Sequence, residues 1–169
     1  MNFLLTAWLA AQHGGRLLLR IDDVDTARTR REYLDDVFRV IEWLGLVIDG
    51  GPGGVEEFRR SYSMADRTDH YRAAALRLQQ AEPGAFACRC SRRDLAGHGQ
   101  GPYPGRCREL GLAWQPGSTS LRARVPRPAV VPMGDGTEVD VAATMGDFVV
   151  WRRDDIPAYQ LASVIEDRD

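Results

Sequence analysis

The spacing of apolar residues changes from that of a strand to that of a helix early in the chain. Leu17, Leu18, Leu19 and Ile21 form a short apolar run that three aspartates close. Such a run is typical of a buried strand in a parallel sheet, so we predict a strand over Arg16–Ile21. The next segment, Arg30–Leu44, predicts an amphipathic helix that Gly45 ends, because apolar residues recur in it at spacings of three and four: Leu34, Val37, Phe38, Ile41 and Leu44.

The same reasoning predicts further elements along the chain. We expect a helix over residues 1–11 that stops at Gly14-Gly15, a helix over Ala65–Gln80, a half-exposed strand over Leu121–Val125, a strand over Asp147–Arg152 and a buried segment over Pro157–Ile165. Helices and strands in this order predict an α/β fold with a parallel sheet. The composition changes at Glu82-Pro83-Gly84, beyond which Gly, Pro, Arg and Cys are frequent as far as Gly117. This indicates an inserted subdomain that needs more than a hydrophobic core to hold it.

Acidic residues follow the first predicted strand. Asp22 and Asp23 come directly after it, and Asp25 is two residues further on. Ligands of open α/β sheets bind in the crevice beyond the carboxyl ends of the strands, so a substrate site at Asp22 and Asp23 is one interpretation. A solvated acidic turn is the other, because aspartates are mostly exposed in folded proteins. The remainder of the chain favours the substrate site.

Composition limits the class of protein. The 169 residues suit one domain, or one domain with a small insert, and the formal net charge of -2 gives no general attraction for nucleic acid. No basic residue precedes the first apolar stretch, which is also too short to span a bilayer, so we expect no membrane role. An odd number of cysteines argues against a disulfide framework and favours a reducing cytoplasm with a metal site.

All 3 cysteines lie in a Gly- and Pro-rich segment. Cys88-x-Cys90 is followed by Tyr103-x-x-x-Cys107, and three thiolates on a compact loop suit tetrahedral Zn²⁺, which takes N, S or O ligands. His98 and Tyr103 are the candidates for the remaining ligand, and coordination chemistry favours His98 because imidazole is the commoner zinc ligand. We expect a structural role, since these residues lie in the insert. The alternative is a set of unrelated reduced cysteines.

Segments along nearly the whole chain resemble the catalytic domain of the glutamyl-tRNA synthetase family, and most closely its glutamyl-Q tRNA(Asp) synthetase branch. The segments that carry this resemblance are Arg20–Asp25, Trp43–Leu46, Asp49–Pro52, Cys88–Arg93, Tyr103–Arg108, Asp147–Val150 and Pro157–Ser163. The resemblance implies a Rossmann-like class I aminoacyl-tRNA synthetase catalytic domain with an inserted zinc-binding subdomain. It implies residues 1–86 for the first part of the catalytic domain, 87–118 for the insert, and 119–169 for connecting strands and the start of the second half.

The resemblance also implies roles for individual residues. Asp22 takes the position at which the family's glutamate contacts the amino group of the bound L-glutamate, and its side chain is shorter by a methylene group. Tyr159 corresponds to the tyrosine that lines the glutamate pocket. Cys88, Cys90, Tyr103 and Cys107 correspond to the zinc ligands of the branch, which puts Tyr103 rather than His98 in the last position.

The function implied by the resemblance is ATP-dependent activation of L-glutamate, with magnesium, to glutamyl-adenylate. The glutamyl group then passes to tRNA, to the queuosine base of tRNA(Asp) in the branch or to tRNA(Glu) in glutamate--tRNA ligases. We expect a cytoplasmic enzyme that is monomeric at full length. The family's nucleotide-binding signatures are not found in the sequence, so its catalytic residues stay unassigned.

We therefore expect an incomplete domain that lacks its first strand, is inactive by itself and is marginally stable. One alternative is a non-catalytic zinc-containing module that binds glutamate or RNA, and another is a fragment of a glutamate--tRNA ligase.

Overall fold

The structure is a computed structural model that describes residues 2–96 and 101–168. The chain divides into two units, Met1–Thr68 and Asp69–Asp169, and each is described by itself. His98, a candidate zinc ligand, lies outside the described residues. No helix of the described ranges is both long enough and apolar enough to cross a membrane.

The regular elements described in the first unit are helices. They are α1 (Asn2–Gln12), α2 (Arg31–Trp43) and α3 (Val55–Ser61), and a 3₁₀ turn follows at Ala65–Arg67. The predictions of α1 and α2 are confirmed, whereas α3 has no counterpart among them. Leu34 and Ile41 of the α2 stripe are buried. Gly45 ends α2 with a φ of 65°, and the amide of the next residue donates to the Ile41 carbonyl at 3.1 Å, which satisfies a terminal carbonyl of the helix.

The predicted buried strand over Arg16–Ile21 is wrong in that form. The segment is extended, but among the described residues it forms a single parallel bridge, between Leu18 and Gly50, and Leu18 is 65% exposed. An apolar run becomes a buried strand only where other elements cover both of its faces. Within the described ranges, its backbone pairs with the loop at Asp49-Gly50, and this loop approaches so closely that a Cβ on Gly51 would lie 2.3 Å from the Leu19 carbonyl oxygen.

The second unit contains the strands. They are β1 (Ala85–Cys88), β2 (Ser120–Ala123), β3 (Val130–Pro132), β4 (Glu138–Asp140) and β5 (Val149–Trp151). In the described part of the chain, β1, β2 and β5 form an antiparallel sheet with β2 in the centre, and β3 and β4 form a hairpin. The helices are α4 (Thr68–Gln80, which starts at the last residue of the first unit), α5 (Arg92–Ala96), α6 (Val141–Thr144) and α7 (Tyr159–Glu166).

Most predictions for the second unit are confirmed in position. The 3₁₀ turn and α4 cover the predicted helix over Ala65–Gln80, and strands or a helix occupy the other three predicted segments. The prediction that β2 is half-exposed is wrong, because Ser120, Leu121 and Arg122 are all buried in this central strand. The segment after Pro157 is the helix α7, of which Ala162 is buried while Tyr159 is 62% exposed. The β3–β4 hairpin has no counterpart in the predictions.

The β1–β2 pair brings the two ends of the Cys-containing segment together. Cys88, the last residue of β1, lies opposite Ser120, the first residue of β2, and the Ser120 hydroxyl donates to the Cys88 carbonyl at 3.1 Å. The side chains of Phe86, Cys88, Tyr103 and Cys107 pack into one buried cluster beside this stem. The sheet therefore provides the base on which the cysteines are held.

Candidate metal centre and substrate residues

The backbone on both sides of Cys90 is fixed by hydrogen bonds. Cys88 ends β1, and Ser91 precedes α5. The amide and the hydroxyl of Ser91 both donate to Asp94 Oδ2 at 2.7 Å, and the Asp94 amide donates back to Ser91 Oγ at 3.2 Å, which is the reciprocal cap typical of a helix start. The backbone hydrogen bond from Ser91 lowers the pKa of the Asp94 carboxyl. Cys90 thus lies between a strand end and a capped helix.

Tyr103 and Cys107 are held in a second turn. Both are buried, and the Cys107 amide donates to Tyr103 Oη at 2.8 Å. The next residue, Arg108, forms an ion pair with the fully buried Asp147 and donates to the Val125 carbonyl at 3.4 Å. These contacts anchor the turn that carries Cys107 to the residues that precede β5.

The four side chains converge with the spacing of a tetrahedral metal site. Tyr103 Oη lies 3.4 Å from Cys88 Sγ and 3.7 Å from Cys90 Sγ, and the Sγ atoms of Cys90 and Cys107 are 3.5 Å apart. The three sulfurs all lie within 4.8 Å of one another. Zinc bond lengths and a tetrahedral angle give ligand separations of about 3.8 Å between sulfurs and about 3.5 Å between sulfur and oxygen. The ligand set therefore fits Zn²⁺ with little rearrangement.

The pKa values of the cluster's side chains are shifted in different directions. Burial opposes ionisation of the Cys107 thiol, but hydrogen bonds from Tyr103 and from the Arg89 backbone outweigh burial and lower its pKa from 9.0 to about 7. Burial raises the pKa of Cys90 to about 11. Burial, reinforced by hydrogen bonds with the thiols, also raises the pKa of the Tyr103 phenol. A metal ion that binds these groups must therefore displace protons from Cys90 and Tyr103.

The cluster is reduced and accessible from one side. Cys88, Cys90 and Cys107 are all free thiols. A cavity of about 350 Å³ opens beside Cys90 and Cys107, and Arg89 and Arg106 are among its lining residues. The structure thus brings together four of the residues predicted from sequence as metal ligands.

The acidic residues after the extended segment have different environments. Asp23 is 6% exposed, and its carboxylate accepts hydrogen bonds from the Ser63 hydroxyl at 2.6 Å and from the amides of Met64 and Ala65 at 2.7 and 3.2 Å. These bonds engage both of its oxygens in holding the loop before the 3₁₀ turn. Asp22 is exposed, and within the described residues its Oδ1 accepts only a long bond of 3.4 Å, from the Val24 amide. Asp22, and not Asp23, has a carboxylate that can still bind a cation.

Tyr159 presents its phenol at the surface of the second unit. It is the first residue of α7 and is 62% exposed, while its carbonyl accepts a hydrogen bond from the Ser163 hydroxyl at 2.8 Å. The start of the helix is fixed by this bond and by the Leu161 and Ala162 amides, which donate to the Ala158 carbonyl. The Tyr159 side chain is therefore placed on a fixed backbone and is open to a ligand.

Sequence reasoning missed two buried residues at the cluster. Arg122 covers the ring of Tyr103, with its Cζ 3.9 Å from the ring centroid, and Asp147 pairs with Arg108. Asp147 belongs to a segment that carries the family resemblance, so the sequence indicates that this position matters. It does not indicate that Asp147 pairs with Arg108. The alternation of charged and apolar residues around Arg122 indicates a solvent-facing side chain, and no sequence signal contradicts it.

Comparisons with known proteins agree on one group. The family model described as "tRNA synthetases class I (E and Q), catalytic domain" matches residues 2–169. The chain is 40% identical over 167 residues to a glutamate--tRNA ligase of Frankia casuarinae, covering 95% of this chain and 34% of that protein. It is also 40% identical over 164 residues to a glutamyl-Q tRNA(Asp) synthetase of Methylococcus capsulatus, covering 95% of this chain and 50% of that protein.

The fold agrees with a solved structure. A crystal structure of a glutamate tRNA ligase from Elizabethkingia meningosepticum in complex with its amino acid superposes with a TM-score of 0.72 at 22% sequence identity. The superposition covers 98% of this chain and 37% of that chain. The chain thus has the fold of part of that ligase, and it spans between a third and a half of the length of these curated relatives.

Proposed function

The chain belongs to the class I tRNA synthetase (E and Q) catalytic-domain family, and from this premise we propose that it serves a ligase that activates L-glutamate with ATP. In the proposed reaction, a glutamate carboxylate oxygen attacks the α-phosphorus of magnesium-bound ATP, and pyrophosphate leaves with the bonding electrons. The glutamyl group then passes from the adenylate to a nucleophile on tRNA, and AMP leaves. The observation that carries the proposal is the 40% identity, over nearly the whole chain, to relatives whose names specify glutamate.

Two side chains are proposed to contact L-glutamate. The Asp22 carboxylate is exposed and largely unengaged, which supports its proposed binding to the ammonium group of the amino acid. The Tyr159 ring is proposed to contact the amino acid as well, and its exposure at the fixed start of α7 supports this. Positioning of the substrate, rather than acid–base chemistry, is the role that these residues suit.

Zinc is the metal proposed for the cysteine cluster. Cys88, Cys90, Cys107 and Tyr103 would hold it, and their spacing and their soft thiol donors support this assignment. Bound zinc would supply structural cross-linking, because all four ligands come from the protein and none is left for a substrate. The zinc-binding insert is proposed to extend over residues 87–118, between the connected parts 1–86 and 119–169. The pairing of Cys88 with Ser120 supports these limits, because it joins the ends of the insert.

The proposed compartment is a reducing cytoplasm, which the three free thiols support.

Amino-acid binding tests the proposal on the chain itself. We expect calorimetric titration to detect L-glutamate in preference to L-glutamine and L-aspartate. Asp22→Asn should weaken glutamate binding about 10- to 100-fold, the loss typical of a hydrogen bond to a charged group. Asp25→Asn is the matched control, since Asp25 is an aspartate of the same segment that pairs with Arg28. Equal heats for the three amino acids, or equal losses in the two variants, would contradict the proposal.

The acceptor is tested on the whole enzyme. Radiolabelled glutamate is offered with ATP and either tRNA(Asp) that carries queuosine or tRNA(Glu). We propose tRNA(Asp), supported by the Cys-x-Cys and Tyr-x-x-x-Cys arrangement that resembles the glutamyl-Q branch. Label on tRNA(Glu) alone would mean that the enzyme is a glutamate--tRNA ligase rather than a member of the glutamyl-Q branch. The absence of label on both RNAs, together with the absence of glutamate-dependent pyrophosphate exchange, would contradict the proposal.

A further inference from the structure

A buried guanidinium group lies against the aromatic member of the metal cluster. Arg122, in the central strand β2, is 9% exposed, and its Cζ lies 3.9 Å from the centroid of the Tyr103 ring. Other arginines stacked on rings in the described chain lie farther from their centroids, at 4.8, 5.2 and 5.9 Å. The planar cation thus makes a close, desolvated stack with a proposed metal ligand.

The protein provides little other compensation for this charge. One guanidinium nitrogen, NH1, donates to the Asp147 carbonyl at 2.7 Å, whereas Nε is buried without a hydrogen-bond partner in the described residues. No carboxylate of the described residues forms an ion pair with Arg122; the carboxylate of Asp147 instead pairs with Arg108. A buried charge without a counter-charge is strongly unfavourable, so a negative group is expected near Arg122.

The loaded metal site would be that negative group. Three thiolates and a phenolate around Zn²⁺ leave a net formal charge of about −2. Arg89 and Arg106 line the cavity beside Cys90 and Cys107, but both are exposed, so water screens them. Arg122 is the cation that is packed directly on a ligand and shielded from solvent.

We propose that Arg122 is a positioning residue of the metal site. Its guanidinium holds the Tyr103 ring so that Oη faces the three sulfurs, and its charge balances the excess negative charge of the zinc-loaded ligands. Strand β2 fixes Arg122 for this task, because it is paired on one side with Phe86 and on the other with Val149. This inference rests on the zinc site of the proposed function.

Zinc affinity tests the inference, measured by competition with a chromophoric chelator. Arg122→Met should weaken zinc binding about 10- to 100-fold, the range typical of residues that orient a metal ligand. The matched control is Arg72→Met, because Arg72 is stacked at 4.8 Å on Trp151 and pairs with Asp155, and neither residue belongs to the metal cluster. We expect the control to keep the affinity of the unaltered protein. Equal affinities for Arg122→Met and the unaltered protein would overturn the inference and leave the zinc site standing.

A double-mutant cycle separates positioning from general support of the fold. In a Tyr103→Phe background there is no phenolate to orient, so Arg122→Met should cause much less loss of zinc affinity than it does alone. The same loss in both backgrounds would show that Arg122 acts on the fold and not through Tyr103, which overturns the inference. Failure of the unaltered protein to bind zinc would overturn both the zinc site and the inference.

A conservative variant covers the case in which Arg122→Met does not fold. Arg122→Lys keeps the charge but cannot stack as a plane. The cobalt-loaded protein should then show ligand-field bands shifted from those of the unaltered protein, because the Tyr103 oxygen is less well placed. Cobalt bands of Arg122→Lys that are identical to those of the unaltered protein and of the control Arg72→Lys would overturn the inference.

Discussion

Replacing Asp147 by asparagine removes the charge that anchors the Cys107 turn while it keeps the size of the side chain. Asp147 is 0% exposed, and its Oδ1 accepts hydrogen bonds from the Arg108 guanidinium and from the Val125 amide, the latter at 2.9 Å. Asparagine can still accept from the amide, but it leaves the arginine without its buried partner. The loss should therefore come mainly from the broken ion pair.

The expected destabilisation follows from the burial of the two partners. Removing one partner of a buried ion pair costs about 3–5 kcal/mol. The Arg108 side chain is 23% exposed and keeps a second carboxylate, Glu109, at 3.5 Å, so water and this carboxylate stabilise part of the released charge. We therefore expect Asp147→Asn to lower the free energy of unfolding by about 2–3 kcal/mol.

Urea unfolding followed by circular dichroism measures the effect, with and without a zinc chelator. Glu109→Gln is the control, because Glu109 pairs with the same arginine but is 77% exposed. An exposed ion pair contributes at most about 1 kcal/mol, so the control should change little. If Asp147→Asn loses no more than Glu109→Gln, Asp147 is not the anchor of the turn and our reasoning is wrong.

Other predictions concern the metal ligands and the acidic loop. In the metal-free protein the pKa of Cys107 is lowered to about 7. Below that pH, zinc must displace a proton from the Cys107 thiol, whereas above it the group is already a thiolate. The slope of the logarithm of zinc affinity against pH should accordingly fall by about one as the pH rises through 7, as measured by chelator competition; a constant slope from pH 6 to 8 would contradict the lowered pKa. Tyr103→Phe should weaken zinc binding at least about tenfold, whereas His98→Ala should leave it unchanged, and the reverse order in the same assay would make His98 the ligand. Asp23→Asn should lower the free energy of unfolding in urea by about 1–3 kcal/mol, because Asp23 accepts three hydrogen bonds at a buried site, while the exposed Asp22→Asn should be nearly neutral; equal losses would contradict this role of Asp23.

Local patterns predicted the helices α1, α2 and α4 and the clustering of the cysteines. The stripe of apolar residues and the glycine at position 45 were enough to predict α2 to within a residue at each end. Spacing and thiol chemistry predicted the cysteine cluster, and the family resemblance singled out Tyr103, whose hydroxyl group lies among the sulfurs. Asp135-Gly136 is a turn signal that could have revealed the β3–β4 hairpin, which closes around it.

Long-range packing could not be predicted in the same way. The apolar run of Leu17–Leu19 does not reveal which elements cover it, and Leu18 is in fact exposed. Asp23 has the same sequence signal as Asp22, yet its hydrogen-bond partners lie 40 or more residues further along the chain. Arg122 has the sequence pattern of a surface residue, yet it is buried against the ring of Tyr103. Each of these outcomes depends on contacts that only the folded chain establishes.

X-ray absorption at the zinc edge tests the proposed metal centre most directly, on protein purified without added metal. We predict about one zinc per chain, with three sulfur neighbours at about 2.3 Å and one oxygen neighbour at about 2.0 Å. Cys90→Ser should lose most of the metal. Multiple scattering typical of an imidazole ring would show that a histidine, and not Tyr103, is the fourth ligand. A protein without zinc, or zinc retained unchanged in Cys90→Ser, would contradict the proposed site.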